Sequence, residues 1–340
     1  MISKRILIQL VGVLALLWGA LPSVAVASKV YVGRLGYQSP KLVAPIVLVS
    51  GASNEHLRWH AGMLGWTLRG GLRYALGNQR HLLGELDVTP LNSNGGSYIY
   101  RDGKLAEDLF FENATALGRI GVIQRHSAKL ESRIFALGLV EQVEHGKRRI
   151  NDYWSRPYLG LELQETFQSL NSYDVYRSRW DGYRAEGRVQ LFVGDHTWSR
   201  LRAEAGLGKR HDRLFWMLRG ILLYGQGLNT VNRFLVGGGW EGPGLNDMVG
   251  FHYAEFRVSQ ALLLHGAVDF RVVGDWELGL CGSVMGQSSS EPFRVGYGLR
   301  LSTVVKGIGV ILGASGRDEL LRGGGGGLLV HGALTLSVLD

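Results

Sequence analysis

Phe293-Arg294-Val295-Gly296-Tyr297-Gly298-Leu299-Arg300-Leu301 is the stretch on which the fold turns. Its odd positions are Phe293, Val295, Tyr297, Leu299 and Leu301, and Arg294, Gly296, Gly298 and Arg300 fall between them. Successive side chains of a strand point to opposite faces, so this spacing makes one apolar face and one polar face. Other segments repeat it. Ala185, Gly187, Val189 and Leu191 alternate with Arg184, Glu186, Arg188 and Gln190. Leu159, Leu161, Leu163 and Phe167 oppose Glu162, Gln164 and Thr166, and Leu201, Ala203, Ala205 and Leu207 oppose Arg200, Arg202 and Glu204.

A soluble β-sandwich would alternate in the same way, with its charges in water. Length separates the two. Runs of about 9 to 14 residues match the roughly 9 to 11 with which a tilted strand crosses a bilayer, whereas soluble strands average about 5 or 6. The expected fold is all-β, a transmembrane antiparallel β-barrel. Strands are placed near 63–76, 81–91, 117–124, 130–143, 158–168, 183–193, 198–207, 214–224, 252–258, 264–272, 276–284, 293–302, 308–314 and 328–338. That makes about fourteen, with any even count from about 12 to 16 admitted, because 29–37 and 42–50 could add a pair. Trp66, Tyr74, Trp154, Tyr158, Trp198, Trp216, Tyr224 and Trp276 lie at segment ends, where interfacial girdles need aromatics or where core packing would use them. On the polar face Gly296 is expected to accept lysine more readily than Val295, unless the lumen is packed there.

The chain of 340 residues opens like a secretory signal: Lys4 and Arg5, an apolar run Ile6–Leu21, Pro22, then Ala25-Val26-Ala27. Cleavage after Ala27 is expected, which divides the chain into a signal peptide at 1–27, an N-terminal segment at 28–56 and a barrel at 57–340. No later run approaches a membrane helix; Leu42–Val49 is broken by Pro45. The formal charge of +8 is modest for this length and gives no reason to expect a nucleic-acid partner. The single thiol, Cys281, cannot form an internal disulfide.

Residues 225–251 are the most unusual segment, rich in glycine with Trp240 and Pro243 near the tip. Such a chain can fold tightly back on itself or simply join two strands at the surface. Gly237, Gly238, Gly239, Trp240, Glu241, Gly242 and Pro243 are the candidate lid. Charges expected in the lumen include Arg69, Arg73, Glu85, Asp87, Glu255, Arg257, Asp269, Arg271, Arg294 and Arg300. Mixed charges there pair across strands and fill the space, or else line a path whose arginine excess favours anions.

No phosphate-binding glycine loop ending in Lys-Ser/Thr, no His-Glu-x-x-His and no Gly-x-Ser-x-Gly elbow occurs, which argues against an enzyme. His56 and His60 lack a third ligand, so no metal or cofactor is expected.

From Phe234 onward the sequence resembles the BamA/TamA-type outer-membrane assembly superfamily, the bacterial surface-antigen barrel. FLVGGGWEGPG stands for its lid loop, Glu255-Phe256-Arg257 or Asp269-Phe270-Arg271 for an acidic-x-Arg pair, and FRVGYGLRLSTVVKGIGVILGAS for its Gly-x-Gly-x-Arg strand and closing turn. The likeness covers the barrel only, without periplasmic repeats. Where that family carries an arginine at the lid tip, this chain has Trp240-Glu241-Gly242-Pro243, and it ends Leu339-Asp340 where the family ends in an aromatic. An inward-folded tip would bring Glu241 beside Arg257, Arg271, Arg294 or Arg300. The resemblance implies protein or lipid assembly at the outer membrane, with membrane lipid and a client polypeptide or periplasmic protein as partners. A small-solute pore and a rim-sited lipid hydrolase are the alternatives.

Overall fold

The computed structural model describes residues 29–38, 41–64, 67–89, 100–101, 104–105, 111–145, 157–174, 177, 179–229, 232–238, 246, 248–251, 256–287, 293–306, 308–317 and 329–336. The signal at 1–27 lies outside them. The chain begins with β1 (Lys29–Gln38), β2 (Lys41–Ala52), β3 (Leu57–Leu64), β4 (Thr67–Ala75) and β5 (Arg80–Thr89). A two-residue-a-side hairpin, β6 (Tyr100–Arg101) and β7 (Lys104–Leu105), precedes β8 (Phe111–Arg125), β9 (Leu130–His145), β10 (Pro157–Asp174), β11 (Arg179–Val193), β12 (Trp198–His211) and β13 (Leu214–Gln226). After β14 (Phe234–Val236) and β15 (Phe256–Val258) come β16 (Gln260–Val273), β17 (Trp276–Gln287), β18 (Phe293–Val305), β19 (Ile308–Arg317) and β20 (Leu329–Leu336).

All but β6, β7, β14 and β15 pair in sequence order into one closed antiparallel barrel of sixteen strands. Closure is made by β1 on β20, from Gly33 opposite Leu336 to Gln38 opposite His331. The N-terminal segment 28–56 therefore supplies two barrel strands, the extra pair admitted near 29–37 and 42–50, and the count is sixteen. Without them the backbone donors and acceptors of β20 would face lipid unpaired, at a cost of several kcal/mol for each group, about the scale known for apolar surroundings. Two expectations change. The run 63–76 is not one strand: it holds the end of β3 and all of β4, which pair as a hairpin with Leu64 opposite Thr67. The run 252–258 contributes no wall strand, because Phe256–Val258 pairs with Phe234–Val236 in a separate sheet.

The two faces fall where the alternation places them. Leu159, Leu161, Leu218, Leu280, Phe293 and Leu299 are exposed on the outside, while Glu162, Arg219, Asp269 and Arg300 are buried within. Leu159 is 75% exposed and Glu162 only 2%, the reverse of a soluble protein and the arrangement a bilayer selects. The girdle aromatics divide. Tyr74, Tyr224 and Trp276 are exposed on the outer face, but Tyr158 and Trp198 are buried among Leu139 and Phe192 in the lumen. Their parity explains it, since Tyr158 is in step with Glu162 and Trp198 with Arg202.

Because every barrel strand reverses direction, the connections 90–110, 146–156, 227–259 and 318–328 all leave from one mouth. At the opposite mouth the turns are short. Asp212 and Lys306 there carry positive φ of 49° and 50°, as the first residue of a tight two-residue hairpin of type I′ does.

Lysine at Val295 or Leu299 is expected to cost about 2 to 4 kcal/mol near the bilayer centre, read as a lowered midpoint for loss of heat-modifiable gel migration. The lumen-facing comparison is Thr166→Lys, which points into a cavity and should shift that midpoint far less; equal losses would overturn the facing assignment.

Candidate functional site

The lumen-facing side of β13, β16 and β17 is apolar in its upper half, toward the long-loop mouth: Ile221, Leu223, Ala261, Leu263 and Met285. Bare to water, that patch would forgo about 25 cal/mol for each Å² left uncovered. The chain covers it with its own loop. Phe234, Val236, Met248, Phe251 and Val258 complete one buried cluster with those wall residues, and Phe256 packs at its edge. Gly237 and Gly238 hold the turn-in at φ of 128° and 101°. Gly238 N–H donates to the Phe251 carbonyl at 3.2 Å and Met248 N–H to the Gly238 carbonyl at 2.9 Å.

The loop is fastened to the wall by close backbone approach. An added Cβ on Gly296 would meet the Val249 carbonyl oxygen at 1.6 Å, and one on Gly250, whose φ is +83°, would meet the Gly316 carbonyl oxygen at 2.1 Å. Gly296 is thus bare because the loop lies against it. The exception allowed for lysine at Gly296 therefore applies: the lumen is packed at that point, and a side chain there is not mild. Polar contacts add direction. Val249 N–H donates to Ser283 Oγ at 3.2 Å, and Ser283 Oγ lies 2.8 Å from His265 Nδ1. Arg202 Nε donates to Asn246 Oδ1 at 3.0 Å, while the far end of the same guanidinium pairs with Glu204, which also holds Arg219.

A second inward element closes the short-turn half. The β10–β11 pairing slips between Leu170 and Ser172, opposite Gly182 at φ +122°, and such a bulge bends the hairpin end. Trp180 is buried with Phe215 and Met217. Arg179 Nη1 reaches Asp269 at 2.9 Å and its Nη2 reaches Glu277 at 2.5 Å. Arg300 binds the same Asp269 with Nε at 2.8 Å and Nη2 at 2.5 Å. Arg177 adds contacts to Glu277 at 3.2 Å and to the Asp275 carbonyl at 2.9 Å. The side chains of Arg179, Asp269 and Glu277 are each no more than 2% exposed, so the cluster seals rather than lines a channel.

Of the two acidic-x-Arg alternatives, Asp269-Phe270-Arg271 is the one on a wall strand, with Arg271 Nε 4.0 Å from Glu277. Arg257 sits on the inner strand β15. Arg294 is on β18, one strand from Asp269's neighbour β17. Gly239, Trp240, Glu241, Gly242, Pro243 and Glu255 lie outside the described residues, so the contact sought for Glu241 does too. Arg300 is already committed to Asp269. Arg177, Arg179, Arg219 and Glu277 went unread in the sequence. Arg219 lies in LFWMLRGILLYGQ, where both faces are apolar because one meets lipid and the other meets the loop. Arg177, Arg179 and Glu277 stand at strand ends, where alternation has no run to register against.

With this geometry, the chain is similar in structure to several solved barrels. BamA from Haemophilus ducreyi, in a form lacking POTRA domains 1–3, superposes with a TM-score of 0.64 at 9% identity, covering 92% of this chain and 70% of that one. The fold is that of an outer-membrane β-barrel. CdiB from Acinetobacter baumannii gives 0.58 at 9% identity, covering 92% and 60%, and CdiB from Escherichia coli 0.55 at 10%, covering 90% and 62%. The chain thus spans 60% to 70% of the length of these barrel proteins. No protein-family model and no curated protein matches the sequence.

Gly296→Ala or Gly250→Ala should lift the loop from the wall of this outer-membrane barrel, at about 1 to 3 kcal/mol for overpacking, seen as a lower unfolding midpoint and faster protease cleavage within 239–247. Asp269→Ala removes the carboxylate that Arg179 and Arg300 share, leaving a buried excess of positive charge that Glu277 only partly offsets, and should cost about 3 to 5 kcal/mol; a loss under about 1 kcal/mol in denaturant titration would mean water already reaches the cluster.

Proposed function

We propose that the protein is exported through a cleaved signal, resides in the outer membrane and works there as a non-catalytic assembly barrel, handling a client polypeptide or lipid. The observation that carries this reading is the inward-folded loop seated on Gly296 and Gly316, which occupies the lumen where a diffusion pore needs free space. The fold shared with BamA and CdiB barrels supports it, as does the order of lid loop, acidic-x-Arg strand and Gly-x-Gly-x-Arg strand along the sequence. The seam from Gly33–Gln38 to His331–Leu336 is where the first strand meets the last, so it can part without tearing any hairpin. Placing the short turns in the periplasm and the long loops outside follows the usual orientation of such barrels.

The pore reading has one observation in its favour, the arginine excess of the lumen. Planar-bilayer recording separates the two. A closed or briefly flickering wild type, and a steadily open form after deletion of 237–250, is the expected result. Large steady conductance in both would establish the pore and remove the plug. In the same preparation, fatty-acid release from phospholipid would instead point to a hydrolase.

A further inference from the structure

At the short-turn mouth, on the side away from the loop, lies a cavity of about 460 Å³ between β4, β9, β10 and β11. Its lining is unevenly charged. Arg73, Arg125, Lys129, Arg133, Arg184 and Arg188 face it, against only Glu131 and Glu186. Both carboxylates are already shared: Glu131 lies 2.8 Å from Arg133 and 3.8 Å from Arg125, and Glu186 lies 2.9 Å from Arg184 and 3.4 Å from Arg188. Glu131 also lends its charge to Arg73, so the two carboxylates of the lining serve all six cations between them.

Arg73 stands directly opposite Arg58 on β3. Like charges directly opposite in an antiparallel pair repel and destabilise the sheet. The lumen holds another such pair, Arg188 opposite Arg202, but there each arginine has a glutamate, Glu186 at 3.4 Å and Glu204 at 2.6 Å. Among the described residues neither Arg58 nor Arg73 makes a side-chain hydrogen bond or close ion pair, and the carboxylate whose charge acts on Arg73 is Glu131, which Arg133 and Arg125 already hold. A cross-strand pair of arginines at the rim of this cavity, whose two acids are each shared among several cations, leaves positive charge for a further anion to neutralise.

We propose that this vestibule is a binding site for a phosphate-bearing anion of more than one charge, held between Arg73 on one side and Arg133 and Arg184 on the other, with Arg58 beside Arg73 adding charge from the rim. The planar fork of guanidinium matches phosphate oxygens two at a time, and several such forks around one cavity select multivalent over monovalent anions. The volume lies within the usual range of small-ligand sites, about 300 to 1,000 Å³. The site goes beyond the assembly reading, and the loop's position has no part in it.

Inorganic pyrophosphate is the probe, titrated calorimetrically into the purified full chain in zwitterionic detergent at low salt. Saturable one-to-one binding, at least tenfold tighter than inorganic phosphate, is expected. Arg73→Gln and Arg133→Gln, each confirmed folded by heat-modifiable migration, should each weaken it tenfold or more. Arg213→Gln, which removes the same charge from a turn at the same mouth but outside the cavity, should leave it within twofold. Absence of saturable binding, or equal weakening by all three variants, would overturn the site. Competition by phosphatidylglycerol in mixed micelles identifies a lipid headgroup as the source of the phosphate, and its absence a soluble ester; either keeps the site.

Discussion

Hydrocarbon offers the backbone nothing to hydrogen-bond, and the whole molecule follows from that. A strand can cross only if both of its edges are paired, and a sheet of strands has no unpaired edge only when its last strand returns to its first. The contact of Gly33–Gln38 with His331–Leu336 is therefore what makes the other fifteen pairings viable in a membrane. It also fixes the side chains. Once the sheet closes, each strand has an outside that meets lipid and an inside that does not, and leucines and arginines must sort by parity.

Closure creates a second difficulty, which is the interior. Sixteen strands enclose more room than one layer of side chains fills, and the chain fills it differently in different sectors. Against β13 and β16–β19 the long-loop half receives an apolar loop, and glycine on both surfaces lets backbone meet backbone. Below it the bent end of the β10–β11 hairpin brings Arg177 and Arg179 onto Asp269 and Glu277. On the far side neither device reaches, and a cationic cavity remains. The lumen is thus packed along one wall and hollowed into a polar cavity along the other.

The alternation was legible because lipid enforces it along nearly all of the outer face, Glu165 between Leu163 and Phe167 being an exception that Ser132 hydrogen-bonds. Leu161, Val295 and Leu299 needed no structure to be placed, and the parity that located them also fixes Tyr158 and Trp198 inside, although aromatics near strand ends invite the girdle reading. What the pattern could not carry was whatever depends on a partner distant in sequence. The inner pairing of β14 with β15 looks like a wall strand at 252–258, since apolar alternation is the same whether the apolar side meets lipid or a plug. Gly296 reads as an empty lumen position for the same reason: a missing side chain marks either vacancy or contact, and only the loop's carbonyl distinguishes them. Lys29–Gln38 and Lys41–Ala52 carry weaker alternation, and they enter the barrel through the need to close it.

The central claim is that the segment around Val249 lies inside the barrel against the wall at Ser283, where its N–H meets the serine oxygen at 3.2 Å. Cysteines at both positions, Val249→Cys and Ser283→Cys, in a chain whose only native thiol has been removed by Cys281→Ser, test it in intact outer membranes. The account predicts rapid disulfide formation under mild oxidant, with a shifted gel band that reverts on reduction. Two thiols that react separately with a small maleimide yet never join would contradict it, and would place the loop outside the lumen.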